Sequence, residues 1–110
     1  FRFNPHFPMR TVTAGRIAII DPSTTESIYA AAWANGINLN DDAELIGALN
    51  DAGHDGAALV QATQDPSVKA QLRANTEEAA ALGACGAPTI AVGDQIFWGQ
   101  DRLNRVLAAL

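Results

Sequence analysis

Apolar residues in the first two thirds of the chain recur at helical spacing, and each run is bounded by residues that start or stop helices. Phe1 to Pro8 is the exception: Pro5 and Pro8 each push the preceding residue out of helical geometry, so this stretch reads as extended or looped. From Met9, a stripe of Met9, Val12, Ile17 and Ile20 predicts a first helix that ends at Asp21-Pro22. Ser23, with Glu26 three residues on, reads as a capping box for a second helix carrying Ile28, Tyr29, Ala32 and Trp33 to about Asn35-Gly36. Asp41 or Asp42 caps a third helix with Leu45, Ile46 and Leu49 on one face and Gly53 at its end, and Asp55 caps a short fourth. Asp65 followed by Pro66, at a position where a missing N–H is harmless, opens a fifth helix that runs to about Leu82 and stops at Gly83.

The period changes after Gly83. Gly86-Ala87-Pro88 leads into a short apolar run, Gly93-Asp94 makes a turn, a second apolar run follows, and Gly99-Gln100-Asp101-Arg102 opens a last helix. Two strands joined by Gly-Asp predict a β-hairpin, because both residues accept the positive φ angles such a turn requires. Ala87 is extended by its proline, and Pro88 is expected to be cis; either isomer leaves the Ala87 amide and carbonyl available to a ligand. One hairpin is too little sheet to form a layer alone. The order of proline loop, hairpin and helix resembles the second half of a thioredoxin-like fold.

Composition narrows the function classes. A chain of 110 residues, 48% of them hydrophobic, is the size of one small domain with enough apolar content for a core. Seven scattered basic residues and a net charge of -5 argue against nucleic acid, whose phosphates need clustered Lys and Arg. No run approaches the ~20 apolar residues of a membrane span and no signal-peptide pattern opens the chain, so a soluble, cytoplasmic protein is expected. Cys85 is the single cysteine, which excludes a CxxC pair within these residues; with no basic neighbour it reads as a buried packing residue. His6 and His54 lack a second ligand at metal-site spacing, so no metal is expected. On the residues alone, Gln100 and Asp101 are ordinary capping positions, Asn4-Pro5 a turn, and Trp33 a core aromatic.

Phe97-Trp98-Gly99-Gln100-Asp101-Arg102-Leu103, preceded by Gly86-Ala87-Pro88-Thr89, resembles the C-terminal signature of 2-hydroxychromene-2-carboxylate isomerases and the related kappa-class glutathione transferases. Asn75 to Ala79, Asn4-Pro5 and Phe7-Pro8 are similar as well, so the likeness covers essentially the whole chain. The resemblance implies a mainly α (α+β) fold: a helical insertion domain plus the C-terminal half of a thioredoxin-like fold, its hairpin and final helix. The N-terminal βαβ segment, which holds the family's catalytic serine, has no counterpart here. The implied division is residues 1–8 as a loop of the thioredoxin-like part, 9–64 as the insertion and 65–110 as the C-terminal thioredoxin-like part.

The same resemblance implies glutathione as cofactor. A γ-glutamyl end carries a carboxylate, which amides near Gly99 and Gln100 can hold, and an ammonium, which Asp101 can pair. The residues carried over as glutathione contacts are Ala87, through its backbone, with Trp98, Gly99, Gln100 and Asp101; Asn4, Pro5 and Trp33 are carried over as facing an aromatic substrate. Arg10 is a further candidate for a substrate carboxylate. No catalytic residue is expected in these 110 residues, which read as an inactive fragment of a bacterial glutathione-dependent isomerase of aromatic-hydrocarbon breakdown. A homodimer acting on a small aromatic carboxylate is implied, with neither nucleic acid nor membrane as partner. Two alternatives stand beside it: a DsbA-like disulfide oxidoreductase with its CxxC upstream, and a non-catalytic helical interaction module.

Overall fold

The computed structural model describes all of residues 1–110. Its elements run α1 Val12–Ile20, α2 Thr25–Trp33, α3 Asp42–Asp51, α4 Gly56–Ala62, α5 Pro66–Ala81, β1 Thr89–Val92, β2 Gln95–Trp98 and α6 Leu103–Ala109, with 3-10 turns at Pro22–Thr24 and Gln100–Arg102. The mainly helical architecture with one antiparallel hairpin is thus the one the residue pattern predicts. Two compact units divide the chain within α5, Phe1–Leu72 and Arg73–Leu110.

In the first unit, acidic caps fix the helix starts. Asp41 accepts the Glu44 amide at 3.0 Å and Asp55 accepts that of Ala58 at 3.1 Å, each satisfying one of the orphan donors of a first helical turn. The sequence contains Asp-Pro-Ser twice, and both copies fold alike. Asp21 accepts from the Ser23 amide and hydroxyl at 3.0 and 2.6 Å, and Asp65 from the Ser67 amide and hydroxyl at 2.8 Å each. The expected Ser23–Glu26 capping box is therefore not formed. The proline after Asp21 starts a 3-10 turn two residues earlier, and Ser23 donates instead of capping. Helix α1 also begins later than the stripe suggests, at Val12, because Met9 stays outside it and its sulfur accepts the Leu39 amide at 3.4 Å.

The core of this unit gathers Ile17 from α1, Ile28 and Ala32 from α2, Leu39 from the following loop, and Leu45 and Leu49 from α3. Ile17 and Leu45 have no exposed surface at all, and burying a side chain of this kind contributes about 1.5–3 kcal/mol. Helices α3 and α4 approach so closely at Gly56 that a Cβ there would lie 2.5 Å from the Ile46 carbonyl oxygen.

In the second unit, α5 ends at Gly83, whose φ of +85° only glycine adopts readily. The hairpin pairs Thr89 with Trp98, Ile90 with Phe97, Ala91 with Ile96 and Val92 with Gln95. Its turn differs from the expectation of two positive φ angles: Gly93 takes +60° and Asp94 stays negative, the sign pattern of a type II′ turn, which asks for glycine only at its first position. Helix α6 packs against β1, with Val106 buried. No helix of the chain is long and apolar enough to cross a membrane.

Both Asp-Pro-Ser carboxylates are held below the usual carboxylate range, chiefly by the serine hydroxyl and then by the serine amide. A depressed carboxylate stabilises the fold above its unfolded pKa and ceases to do so as pH falls through the folded value. Thermal melts should accordingly weaken below about pH 4. Asp21→Asn and Asp65→Asn should each flatten that acid limb, and an unchanged limb in the double variant would contradict the assignment.

Candidate functional site

Residues carried over as a substrate face lie in the first unit. Asn4 and Phe7 close a turn, the Phe7 amide donating to the Asn4 carbonyl at 3.1 Å with Pro5 and His6 at the corner. Pro5 is exposed and packs over Gly36, where an added Cβ would meet its Cδ at 3.7 Å. Asn4, expected to face substrate, is instead completely buried. Its Nδ2 donates to the Ala32 and Ile37 carbonyls at 2.7 and 2.9 Å, and its Oδ1 accepts the His6 amide at 2.8 Å. With both amide hydrogens bonded to the protein, Asn4 holds the turn on the end of α2 and presents nothing to a ligand.

That anchorage sets an aromatic cluster around Trp33, the last residue of α2. Phe1 stacks on its indole with centroids 5.8 Å apart, Phe3 meets it edge-on at 6.3 Å and Phe7 tilts against it at 6.1 Å. Phe3 and Phe7 are also edge-to-face at 5.4 Å. The three phenylalanines are exposed and Trp33 is half-buried, so the rings form an open apolar surface. Phe1 and Phe3 were not singled out from sequence. Their alternation with Arg2 and Asn4 is the available signal, because in an extended segment residues two apart share a face.

Beside Trp33, a cavity of ≈ 470 Å³ opens between α1 and α2. From α2 it is walled by Ile28, Tyr29 and Trp33, and from α1 only by short side chains such as Ala14 and Ala18, which leaves the space between the helices unfilled.

The residues carried over as glutathione contacts come together in the second unit. Ala87–Pro88 is a cis peptide, and Ala87 makes no main-chain hydrogen bond. The Gly99 amide donates to the Pro88 carbonyl at 2.9 Å, which sets the proline loop beside the loop that follows β2. Trp98 lies over Gly86 so closely that a Cβ there would sit 2.5 Å from the indole Nε1. Gly99 has φ +105° and ψ 146°, and a Cβ on it would be 2.5 Å from Asp101 Oδ1. Only glycine satisfies both the angle and the approach of that carboxylate.

The chain does not enter an α-helix directly at this point, as the sequence suggests. Gln100–Arg102 is a 3-10 turn ahead of the seven-residue α6, so the Gln100 and Asp101 amides, which have no helical partner, act as individual donors. The Asp101 carboxylate is exposed, with Arg102 Nε at 3.7 Å as its ion-pair partner. Unbonded amides beside an exposed carboxylate suit a group that carries both a carboxylate and an ammonium. Cys85, expected to be buried packing, is exposed, because Gly83 to Gly86 leave the helix and run over the surface before β1. No three His, Cys, Asp or Glu side chains converge anywhere in the chain.

Comparison with known proteins gives two findings. A profile of the DSBA-like thioredoxin domain matches residues 6–110. A 2-hydroxychromene-2-carboxylate isomerase of Sphingobium xenophagum is 40% identical over 76 residues, which are 69% of this chain and 39% of that protein. The match thus spans about two fifths of the relative's length.

Replacing Asn4 by Ala would orphan one buried carbonyl, one part-buried carbonyl and one amide, and should cost about 1–3 kcal/mol of stability. In a Trp98→Phe background its emission should shift to the red as the cluster around Trp33 loosens; an unshifted spectrum would mean that the turn holds without Asn4. Gly99→Ala should displace Asp101 and cost about 1–3 kcal/mol for the imposed backbone conformation. Chemical denaturation of the two variants measures both.

Proposed function

The chain belongs to the DsbA-like thioredoxin domain family, and on that premise we propose that it serves a glutathione-dependent isomerase acting on a 2-hydroxychromene-2-carboxylate or a close aromatic analogue. The observation that carries the reading is the identity to an isomerase of that name, joined to a loop whose donors and acceptors suit a γ-glutamyl group. When bound, glutathione supplies a thiolate nucleophile that adds reversibly to the substrate.

The contributions of this chain are to bind and orient. Ala87, beside its cis-proline and unbonded along its main chain, pairs antiparallel with the cysteinyl backbone of the tripeptide. The Gln100 and Asp101 amides hold the γ-glutamyl carboxylate, Asp101 pairs with the ammonium, and Trp98, seated on Gly86, walls the loop. Gly99 keeps the Asp101 carboxylate close to those amides. In the first unit, Trp33 with the surrounding phenylalanines gives aromatic surface to the substrate and Pro5 adds an apolar edge, and Asn4 fixes their position.

The match to a DSBA-like domain also favours a second reading, disulfide exchange. The single cysteine of the chain cannot form a CxxC, so that reading places no redox centre among these residues.

Titration of the chain with glutathione, followed by amide NMR, separates the two. The isomerase reading expects shifts at Ala87 and at 98–101 with reduced glutathione and equally with S-methylglutathione, and about tenfold weaker binding for Asp101→Asn. Absence of shifts at those amides, or an unaffected Asp101→Asn, would overturn it.

A further inference from the structure

We propose that Met9 is a site of reversible sulfoxidation by peroxides, and that the added oxygen tightens the loop between α2 and α3. The inference rests on the geometry of the first unit and is independent of the functional reading above.

The way the loop is bonded is the first observation. Every backbone amide from Ile37 to Asp41 has an acceptor. Ile37 donates to the Ala31 carbonyl at 3.0 Å, Asn38 to the Glu44 carboxylate at 2.9 Å, Asn40 to the Asn38 side-chain oxygen at 3.0 Å and Asp41 to the Asn38 carbonyl at 3.0 Å. Leu39 differs in kind, because its acceptor is the Met9 sulfur, at 3.4 Å. A thioether is a weak acceptor, and Leu39 is buried in the core cluster, where its amide has little recourse to water. The weakest bond of the loop is thus the one whose acceptor can be oxidised.

Room is the second observation. Met9 is half-buried and lines the cavity of ≈ 470 Å³, far more space than a water-sized oxidant needs. Its side chain is unbranched with three rotatable bonds, so the sulfur shifts without moving the backbone. Met9 also lies ahead of α1, so its movement disturbs no helix.

The chemistry is a two-electron oxidation. A lone pair of the Met9 sulfur attacks the terminal oxygen of hydrogen peroxide or an alkyl hydroperoxide. The S–O bond forms as the O–O bond breaks, and the transferred oxygen gives its proton to the departing hydroxide or alkoxide, which leaves as water or alcohol. With the sulfur drawn back into the cavity, the sulfoxide oxygen accepts the Leu39 amide at an ordinary N–H···O separation of about 2.9 Å. A sulfoxide buried without a donor disrupts a core; here the donor is already in place. Reduction by a dithiol removes the oxygen as water, converts the two thiols to a disulfide and restores the thioether.

The test uses the chain carrying Cys85→Ser, in which Met9 is the one remaining sulfur, treated with hydrogen peroxide and followed by intact mass and amide NMR. One added oxygen is expected, with a native spectrum, a downfield shift of the Leu39 amide and ~threefold or more slower hydrogen exchange there. The two methionine sulfoxide reductases, one for each epimer, supplied with dithiothreitol should return the original spectrum. Met9→Leu, which offers no acceptor, should take up no oxygen and exchange its Leu39 amide ~threefold or more faster than the untreated chain. Loss of the native spectrum on oxidation, a Leu39 amide that is unmoved or exchanges faster, or an oxidised chain that the reductases do not restore overturns the proposal. So does a folded Met9→Leu whose Leu39 amide is equally protected. The readings on the oxidised chain decide the matter if Met9→Leu does not fold.

Discussion

Three hydrogen bonds made by one buried side chain organise the first unit. Asn4 joins the turn at Pro5 and His6 to the Ala32 carbonyl, which the end of α2 would otherwise leave unsatisfied, and to the Ile37 carbonyl in the loop beyond it. The consequences propagate from there. The Arg2 amide reaches the Trp33 carbonyl at 2.6 Å, Phe1, Phe3 and Phe7 collect around the Trp33 ring, and Met9 arrives where its sulfur meets Leu39 at the edge of the core. A buried amide with both hydrogens bonded has one arrangement available to it, which makes this polar contact a more selective organiser than the apolar contacts around it.

The second unit relies on a different device, glycine at close approach. Gly86 admits the Trp98 indole and Gly99 admits the Asp101 carboxylate, and the bond from Gly99 to Pro88 ties the two loops together. Few apolar side chains are buried here; Val106 alone is fully so. Backbone geometry therefore does in this unit what packing does in the other. A surface built of main-chain amides beside a tryptophan and a carboxylate suits recognition of a peptide-like ligand.

The element order was readable because its punctuation is chemical. Asp41, Asp55 and Asp65-Pro66 announce helix starts by what their oxygens can accept, and Gly53, Gly83 and Gly93 mark the positive φ angles that follow. Local rules failed where two of them competed. At Asp21-Pro22-Ser23 the proline-led turn prevailed over the Ser23–Glu26 box, an outcome visible in the identical triplet at Asp65. Asn4 and Cys85 were misjudged for another reason, since whether a side chain is covered depends on segments distant in sequence, and the Asn4 partners lie 28 and 33 residues away. The cavity was illegible for the same cause, because it arises from the mismatch of two helix faces and from no residue alone. Residues 98–101 were legible as a cluster because they are contiguous.

The hairpin carries a liability of its own. It is a two-stranded sheet, so β1 and β2 each turn a row of unpaired amides and carbonyls outward. Thr89-Ile90-Ala91-Val92 and Gln95-Ile96-Phe97-Trp98 are strongly strand-forming and carry no charge within either strand, the composition associated with strand addition between molecules. Asp94 at the turn is the nearest gatekeeper. The open edges of these eight strand residues are where another strand would add, and a lysine placed outward on β2 is the simplest way to block it.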